Sequence, residues 1–200
     1  MRAVFLDRDG VICQNRSDHV KNWAEFQFLP EAKTGLAALN QLDLPVVVVT
    51  NQAIINRGLV TASVVEDIHQ RMVAELSDSG GRIDRIIYCP HRPDEGCNCR
   101  KPESGMLLQA AEDMGIDLVG SYLVGDAAPD LIAGSRVGCH PYLVLTGRGP
   151  NQIWPAFQTL GGRFTIARNL RDAANHIINN ERCIAFRLDR GTLSVSSQPW

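Results

Sequence analysis

Short apolar runs rich in β-branched residues alternate along the chain with longer segments in which apolar positions recur every three or four residues. The runs at 3–6, 45–50, 85–88, 122–124, 141–145 and 164–167 predict strands. Between them, 31–41 carries Ala32, Leu36 and Leu39 at helical spacing, and 61–76 opens on Thr61 as a cap and places Val65, Ile68, Met72 and Leu76 on one stripe. Helices are also predicted over 104–114, stopped by Gly115, over 129–136 and over 169–178. Strands alternating with amphipathic helices specify βαβ units, so the expected fold class is α/β, a Rossmann-like, mostly parallel sheet with helices on both faces. The end of the chain departs from this rhythm. Segments 184–188 and 192–196 flank Asp189-Arg190-Gly191, a pattern that suits a small hairpin or a tail.

The chain has 200 residues, 44% hydrophobic and 21% charged, enough for one ordinary core and far from the composition of disorder or coiled coil. Its formal net charge of −2 provides no basic field for a nucleic-acid backbone or an anionic membrane. No apolar run approaches the roughly 20 residues of a membrane span, and the apolar stretch after Met1 and Arg2 is too short for a secretory signal. A cytoplasmic protein with neither nucleic acid nor membrane as partner is the expectation.

Chemistry concentrates at the strand ends. The first strand runs into Asp7-Arg8-Asp9-Gly10, two carboxylates two residues apart. Ligands of open α/β sheets collect beyond the carboxyl ends of the strands. Like charges this close repel unless a cation or a proton holds them, which points to Mg²⁺ with an anionic substrate beyond it. Asp-Gly alone would simply make a turn. The second strand delivers Thr50-Asn51-Gln52, a hydroxyl and two amides placed as phosphate donors; Arg100-Lys101 offers two cations just before a helix; the strand at 122–124 ends in Gly125-Asp126, with Asp130 four residues on. Singly, each has a bland reading as a cap, a solvated surface pair or a turn. In this order, each directly behind a strand, they form a specific set.

Of six cysteines, Cys89, Cys97 and Cys99 fall within eleven residues that also contain His91, which suggests metal rather than disulfides. Three thiolates and one imidazole close a tetrahedron, so a structural zinc is expected, shaping a loop too short to build its own core and holding Arg100 and Lys101 at the site. Reduced cysteines without metal are the plainer alternative. A nucleic-acid-binding zinc ribbon does not suit four ligands compressed into one loop of an α/β domain. Cys13, Cys139 and Cys183 are scattered and read as small apolar residues.

The strand-end set resembles the haloacid dehalogenase superfamily of phosphohydrolases, its four motifs matched by Asp7-Arg8-Asp9-Gly10, Thr50, Lys101 and Gly125-Asp126 with Asp130. The zinc loop, Thr50-Asn51-Gln52, Arg57-Gly58 and Gly105-Met106-Leu107 narrow the resemblance to the D-glycero-D-manno-heptose 1,7-bisphosphate phosphatases, with histidinol-phosphate phosphatases as relatives that share the zinc loop. It spans about residues 3–180, leaving 181–200 as a C-terminal extension. It implies a Mg²⁺-dependent phosphatase domain over 1–180 that removes the C7 phosphate and leaves the 1-phosphate for nucleotide activation. Asp7 would be the nucleophile and Asp9 the acid and base. Asp7, the Asp9 carbonyl and Asp126 would hold Mg²⁺. Thr50 and Lys101 would hold the phosphoryl oxygens, and Arg100, Asn51, Gln52 and Arg57 would contact substrate.

Only forty residues separate Asp9 from Thr50, so no large cap domain fits, and loops at 11–23 and 53–59 together with the zinc loop must set substrate choice. A monomer acting on a small phosphorylated sugar is expected. Ala127 stands where these relatives usually have lysine, and Ala53-Ile54 where they have Ser-Gly. These changes spare the phosphoryl machinery and bear on the sugar. Two rivals stay open: a histidinol-phosphate or other sugar-phosphate phosphatase, and a non-catalytic zinc-bearing interaction module.

Overall fold

A computed structural model of the chain describes residues 1–191. Among these described residues six strands form one sheet in the order β3-β2-β1-β4-β5-β6, every pair parallel: β1 (Val4–Leu6), β2 (Val46–Asn51), β3 (Arg85–Cys89), β4 (Tyr122–Gly125), β5 (His140–Val144) and β6 (Thr165–Ala167). The intervening helices are α1 (Ala32–Leu39), α2 (Ala62–Asp78), α3 (Gly105–Met114), α4 (Ala128–Arg136), α5 (Ile153–Leu160) and α6 (Leu170–Gly191).

Alternation along the strands splits the core into two layers. Val4 and Leu6 of β1, with Val46 and Val48 of β2, point toward Leu36 and Leu39 of α1, Ile68, Met72 and Leu76 of α2, and Ala173 and Ile177 of α6. Phe5, Val47 and Val49 point the other way, onto Met106, Leu107 and Ala110 of α3 and Ala133 of α4. The predicted stripe on α2 is entirely buried. Its cap differs from expectation: Thr61 sits in extended backbone at the helix start, but its hydroxyl bonds to Ser63 Oγ at 2.8 Å instead of closing the helix.

Two departures have physical causes. Helix α5 lies outside the predicted elements: Ile153, Ala156, Phe157 and Leu160 stand at helical spacing, but Pro155 falls within this eight-residue run, in the first turn where a missing N–H is tolerated, and Gly161-Gly162 ends it. Helix α6 runs through Gly191, where the pattern suggested the first strand of a hairpin at 184–188; the second, 192–196, lies outside the described residues. Extending an existing helix needs no new nucleation, whereas a lone hairpin is marginal in water. Glu181, on that continuation, accepts from Arg2 at 2.6 Å and from the Tyr122 hydroxyl at 2.5 Å, so the helix passes residue 180 tied to the sheet.

Strand order reverses direction around β1, which pairs with β2 on one side and β4 on the other. The connections therefore leave in opposite directions and open a crevice at the carboxyl ends of these three strands. Among the described residues no helix is long and apolar enough to cross a membrane.

Candidate active site

Register brings the motifs together. Leu6 is paired with Val48 of β2 and Val124 of β4, so Asp7, Thr50 and Asp126 all emerge at the same edge. A cleft of about 360 Å³ lies there, its wall including Asp7, Asp9, Thr50, Lys101, Asp130 and Arg148. Residues of the 11–23 segment, among them Asn15, Arg16 and His19, form its rim, as does Arg100. A groove of about 590 Å³ beside α6 is lined by His140, Tyr142, His176 and Cys183 and, among the described residues, by no carboxylate.

Asp7, Asp126 and Asp130 each offer a carboxylate oxygen within 4.8 Å of the other two, and all three are buried. Such a set is tolerable only with cations. Lys101, 4% exposed, supplies one: its Nζ lies 2.9 Å from Asp7 Oδ1 and 2.6 Å from Asp130 Oδ1, and donates to the Val49 carbonyl at 2.8 Å. Arg148 supplies another, its Nη2 on Asp126 Oδ1 at 3.0 Å and its backbone N–H on Oδ2 at 2.8 Å. Burial pushes the Asp7 carboxyl up to about 7, with Lys101 pulling it down and Asp130, Asp126 and Asp9 pushing it further up. Burial raises Asp126 as well, against the lowering effect of Arg148. Both shifts express a site short of positive charge.

The donor set suits a hard divalent ion: carboxylate oxygens at the end of a rigid strand, with room kept by glycine. Gly10, at φ +86°, lies against Asp126; a Cβ on it would stand 2.0 Å from Asp126 Oδ2, and one on Gly147 would stand 2.3 Å from the same oxygen. Only glycine lets these two turns close on the carboxylate. Thr146 fixes the first by donating to the Gly10 carbonyl at 2.6 Å.

Asp9 points away from this cluster into a second network. Arg8 Nη2 meets its two oxygens at 3.0 and 2.9 Å, Gln52 Nε2 donates to Oδ2 at 3.0 Å, and Cys13 Sγ lies 3.4 Å from Oδ1. Burial works to raise its pKa, but Arg8 and the bonds from Gln52 and Cys13 together hold it below the usual carboxylate value.

Asn51 and Gln52, expected to contact substrate, line the cleft and also brace its other groups. Gln52 spends its amide N–H groups on Asp9 and on Thr50 Oγ1, and its oxygen accepts from Arg8. Asn51 clamps the Lys101 backbone, accepting from its N–H at 3.1 Å and donating to its carbonyl at 3.2 Å. Arg57 is not in the wall of the cleft; it reaches His19 Nε2 at 3.0 Å and so braces the rim. Ala127, 1% exposed, donates its backbone N–H to Asp130, which caps α4 while it holds Lys101. Arg148 and Asn15, which both donate to Asp126, were missed in the sequence. Thr146-Gly147-Arg148 lies just behind β5, so the strand-end rule that found the other motifs applies to it equally.

Cys89 ends β3, and its sulfur lies 3.6 Å from Cys97 Sγ and 3.2 Å from Cys99 Sγ; His91 Nδ1 is 3.3 Å from Cys99 Sγ. The cysteines are free thiols, too far apart for disulfides. A tetrahedron with metal–sulfur bonds of about 2.3 Å has edges of roughly 3.8 Å, so the four ligands fit a zinc ion after a shift of a few tenths of an ångström. Arg100 Nη1 donates to the His91 carbonyl at 3.1 Å, joining this loop to the cleft.

Comparison with known proteins agrees with this geometry. A family model described as HAD-hydrolase-like matches residues 98–173. A D-glycero-beta-D-manno-heptose-1,7-bisphosphate 7-phosphatase of Pseudomonas aeruginosa is 44% identical over 146 residues, 73% of this chain and 82% of that protein. The Vibrio cholerae enzyme of the same name is 34% identical over 88% of this chain and 96% of its own. The crystal structure of D,D-heptose 1,7-bisphosphate phosphatase from B. bronchiseptica, complexed with magnesium and phosphate, superposes with a TM-score of 0.85 at 37% identity, covering 90% of this chain and 99% of that one. With the fold, the strand-end carboxylates and similarity over most of the chain in agreement, the chain belongs to the D-glycero-beta-D-manno-heptose-1,7-bisphosphate 7-phosphatase family of HAD-like hydrolases.

Proposed function

We propose that this chain is a Mg²⁺-dependent phosphatase that removes the C7 phosphate of D-glycero-D-manno-heptose 1,7-bisphosphate through an aspartyl-phosphate. The observation that carries the reading is the convergence of Asp7, Thr50 and Lys101 in one cleft, with Asp126 buried beside Asp7, in a fold whose relative binds magnesium and phosphate. Asp7 and Asp126, with the Asp9 carbonyl, would hold Mg²⁺. When bound, the ion neutralises charge between carboxylate and phosphate and favours the ionised form of Asp7.

Asp7 attacks phosphorus as its carboxylate, forming a P–O bond as the bond to the sugar oxygen breaks. Asp9 gives its proton to that oxygen, then takes one from the water that attacks the aspartyl-phosphate and releases inorganic phosphate. The pairing of Asp9 with Arg8 holds it ionised at neutral pH, so it takes up the proton it donates only when the phosphate anion has entered beside it. Lys101 and Thr50 steady the phosphoryl oxygens, and positioning and charge supply most of the rate. Arg100 and the rim around Arg16 and His19 lie where the rest of a sugar bisphosphate would extend. The zinc loop holds Arg100 and Lys101 in place.

A phosphorylated sugar as sole partner, a monomer and a cytoplasmic site of action go with this reading. Steady-state kinetics test it: a higher kcat/KM for histidinol phosphate than for the heptose bisphosphate overturns the substrate assignment. Phosphatase activity unaffected by Asp7→Asn would refute covalent catalysis by this residue, whereas no turnover of any sugar phosphate by the native protein would favour the non-catalytic rival.

A further inference from the structure

Arg8 is 1% exposed, and its charge has few partners. Nη2 serves Asp9 and Gln52 Oε1 at 3.1 Å, while Nε is buried without a hydrogen-bond partner among the described residues. Nη1 has one neighbour of note, His69 Nε2 at 3.1 Å, on α2. A guanidinium has no lone pair to offer, so Nε2 must be the acceptor and the His69 proton must sit on Nδ1. His69 is itself 5% exposed and lies beside the Tyr88 ring, with centroids 5.7 Å apart. The imidazole therefore faces a cation from inside the core, an arrangement that costs desolvation and gives back one directed hydrogen bond.

We infer that His69 is a positioning residue for catalysis: its neutral imidazole fixes the plane of the Arg8 guanidinium, which in turn fixes the Asp9 carboxylate at the leaving oxygen. Without that acceptor, a guanidinium with Nε already unpartnered is left with Nη2 alone. It turns about its stem to find another acceptor and carries Asp9 with it. Gln52 cannot replace the anchor, because its amide is shared between Thr50, Asp9 and Arg8 itself. The residue touches neither substrate nor metal, and its effect passes wholly through Arg8.

This inference rests on the reading of Asp9 as the general acid, and the experiment separates the two. His69→Leu, His69→Phe, His69→Gln and Asp9→Asn are compared on the heptose bisphosphate, whose leaving oxygen needs a proton, and on p-nitrophenyl phosphate, whose leaving group needs none. The kcat/KM reports transfer to Asp7 in each case. His69→Leu is expected to lose about 10- to 100-fold on the sugar ester, the cost of a misplaced catalytic group, and less than about threefold on the aryl ester, where protonation adds nothing. His69→Phe keeps the volume beside Tyr88 and should behave as Leu does. His69→Gln places an amide oxygen near the Nε2 position and should stay within about threefold on both esters. Thermal melts establish that each variant is folded. Equal losses on the two esters in His69→Leu and His69→Phe, with Asp9→Asn still selective for the sugar ester, overturn the positioning role. Native-like kinetics in those variants overturn it as well. An Asp9→Asn variant that loses equally on both esters removes the acid and the inference together.

Discussion

Replacing Lys101 by methionine keeps the aliphatic stem and deletes the charge that lies between Asp7 and Asp130. Both side chains of each ion pair are at most 6% exposed, so water cannot substitute, and the Val49 carbonyl loses its donor too. Breaking a buried pair by removing one partner costs about 3–5 kcal/mol. For a chain of this size about 2–4 °C of Tm accompanies each kcal/mol, so Lys101→Met should melt about 6–20 °C below the native protein in Mg²⁺-free buffer. The deficit must depend on pH. Asp7 in the native protein already sits at about 7, above its unfolded value, so the stability it contributes is present at acid pH and fades as pH rises through 7. Without Lys101 that midpoint moves higher still. At about pH 8.5 the deficit is therefore large; by about pH 6.5 a proton has replaced the lost cation and narrowed it by up to roughly 2 kcal/mol, at about 1.4 kcal/mol per pH unit down to about pH 7, below which the native Asp7 protonates as well and the difference stays level. Melts followed by circular dichroism at the two pH values are the measurement. A deficit below about 3 °C at the higher pH, or one that widens on acidification, refutes the argument that Lys101 holds the carboxylate cluster together.

Asp7→Asn should lower turnover by at least about 10³-fold, since an amide cannot carry the phosphoryl group; retention of a tenth of the activity excludes Asp7 as nucleophile. Purified protein should contain close to one zinc per chain by atomic absorption, and Cys97→Ser should lower both zinc and Tm; a zinc-free protein with native melting would end the structural role. Gly10→Ala should destabilise the fold by roughly 1–3 kcal/mol and weaken Mg²⁺ binding in calorimetric titration, because the added methyl meets Asp126 Oδ2 and the positive φ disfavours it; unchanged affinity would show that Gly10 does not shape the ion site. Arg148→Gln leaves the fully buried Asp126 short of its cation and should cost about 1–3 kcal/mol without Mg²⁺, most of it regained when Mg²⁺ is added. A loss that Mg²⁺ does not reduce would place the role of Arg148 elsewhere.

Much was legible in the one-dimensional pattern because a parallel sheet repeats a simple local signal. Each strand is a short apolar run and each crossover an amphipathic helix, and ligand-facing residues follow directly where strands stop. That rule pointed to Asp7, Asp9, Thr50 and Asp126; Lys101 stands twelve residues past the end of β3, carried to the cleft by the loop of Cys89, His91, Cys97 and Cys99, whose spacing marked one compact cluster. Local pattern was silent where local forces do not decide. Pro155 inside the short run masks the helical period of α5, and the continuation of α6 was decided by a helix already nucleated upstream and tied down through Glu181.

Which groups meet which is a property of register, and register is set by packing many residues away. The residue types at 50–52 announced polar chemistry, yet only the placing of β2 beside β1 turned Gln52 toward Asp9 and Asn51 toward Lys101, and left Arg57 outside the cleft, against His19 of the rim. Arg148 reaches Asp126 across 22 positions of sequence, and His69 reaches Arg8 across 61. The linear order of residues thus determined the α/β class, the strand-end acids and the thiol cluster, since each is written in neighbours a few positions apart. The tertiary structure alone assigned each buried charge its partner, because desolvation makes every such charge seek an opposite or a hydrogen bond at whatever sequence distance the fold provides one.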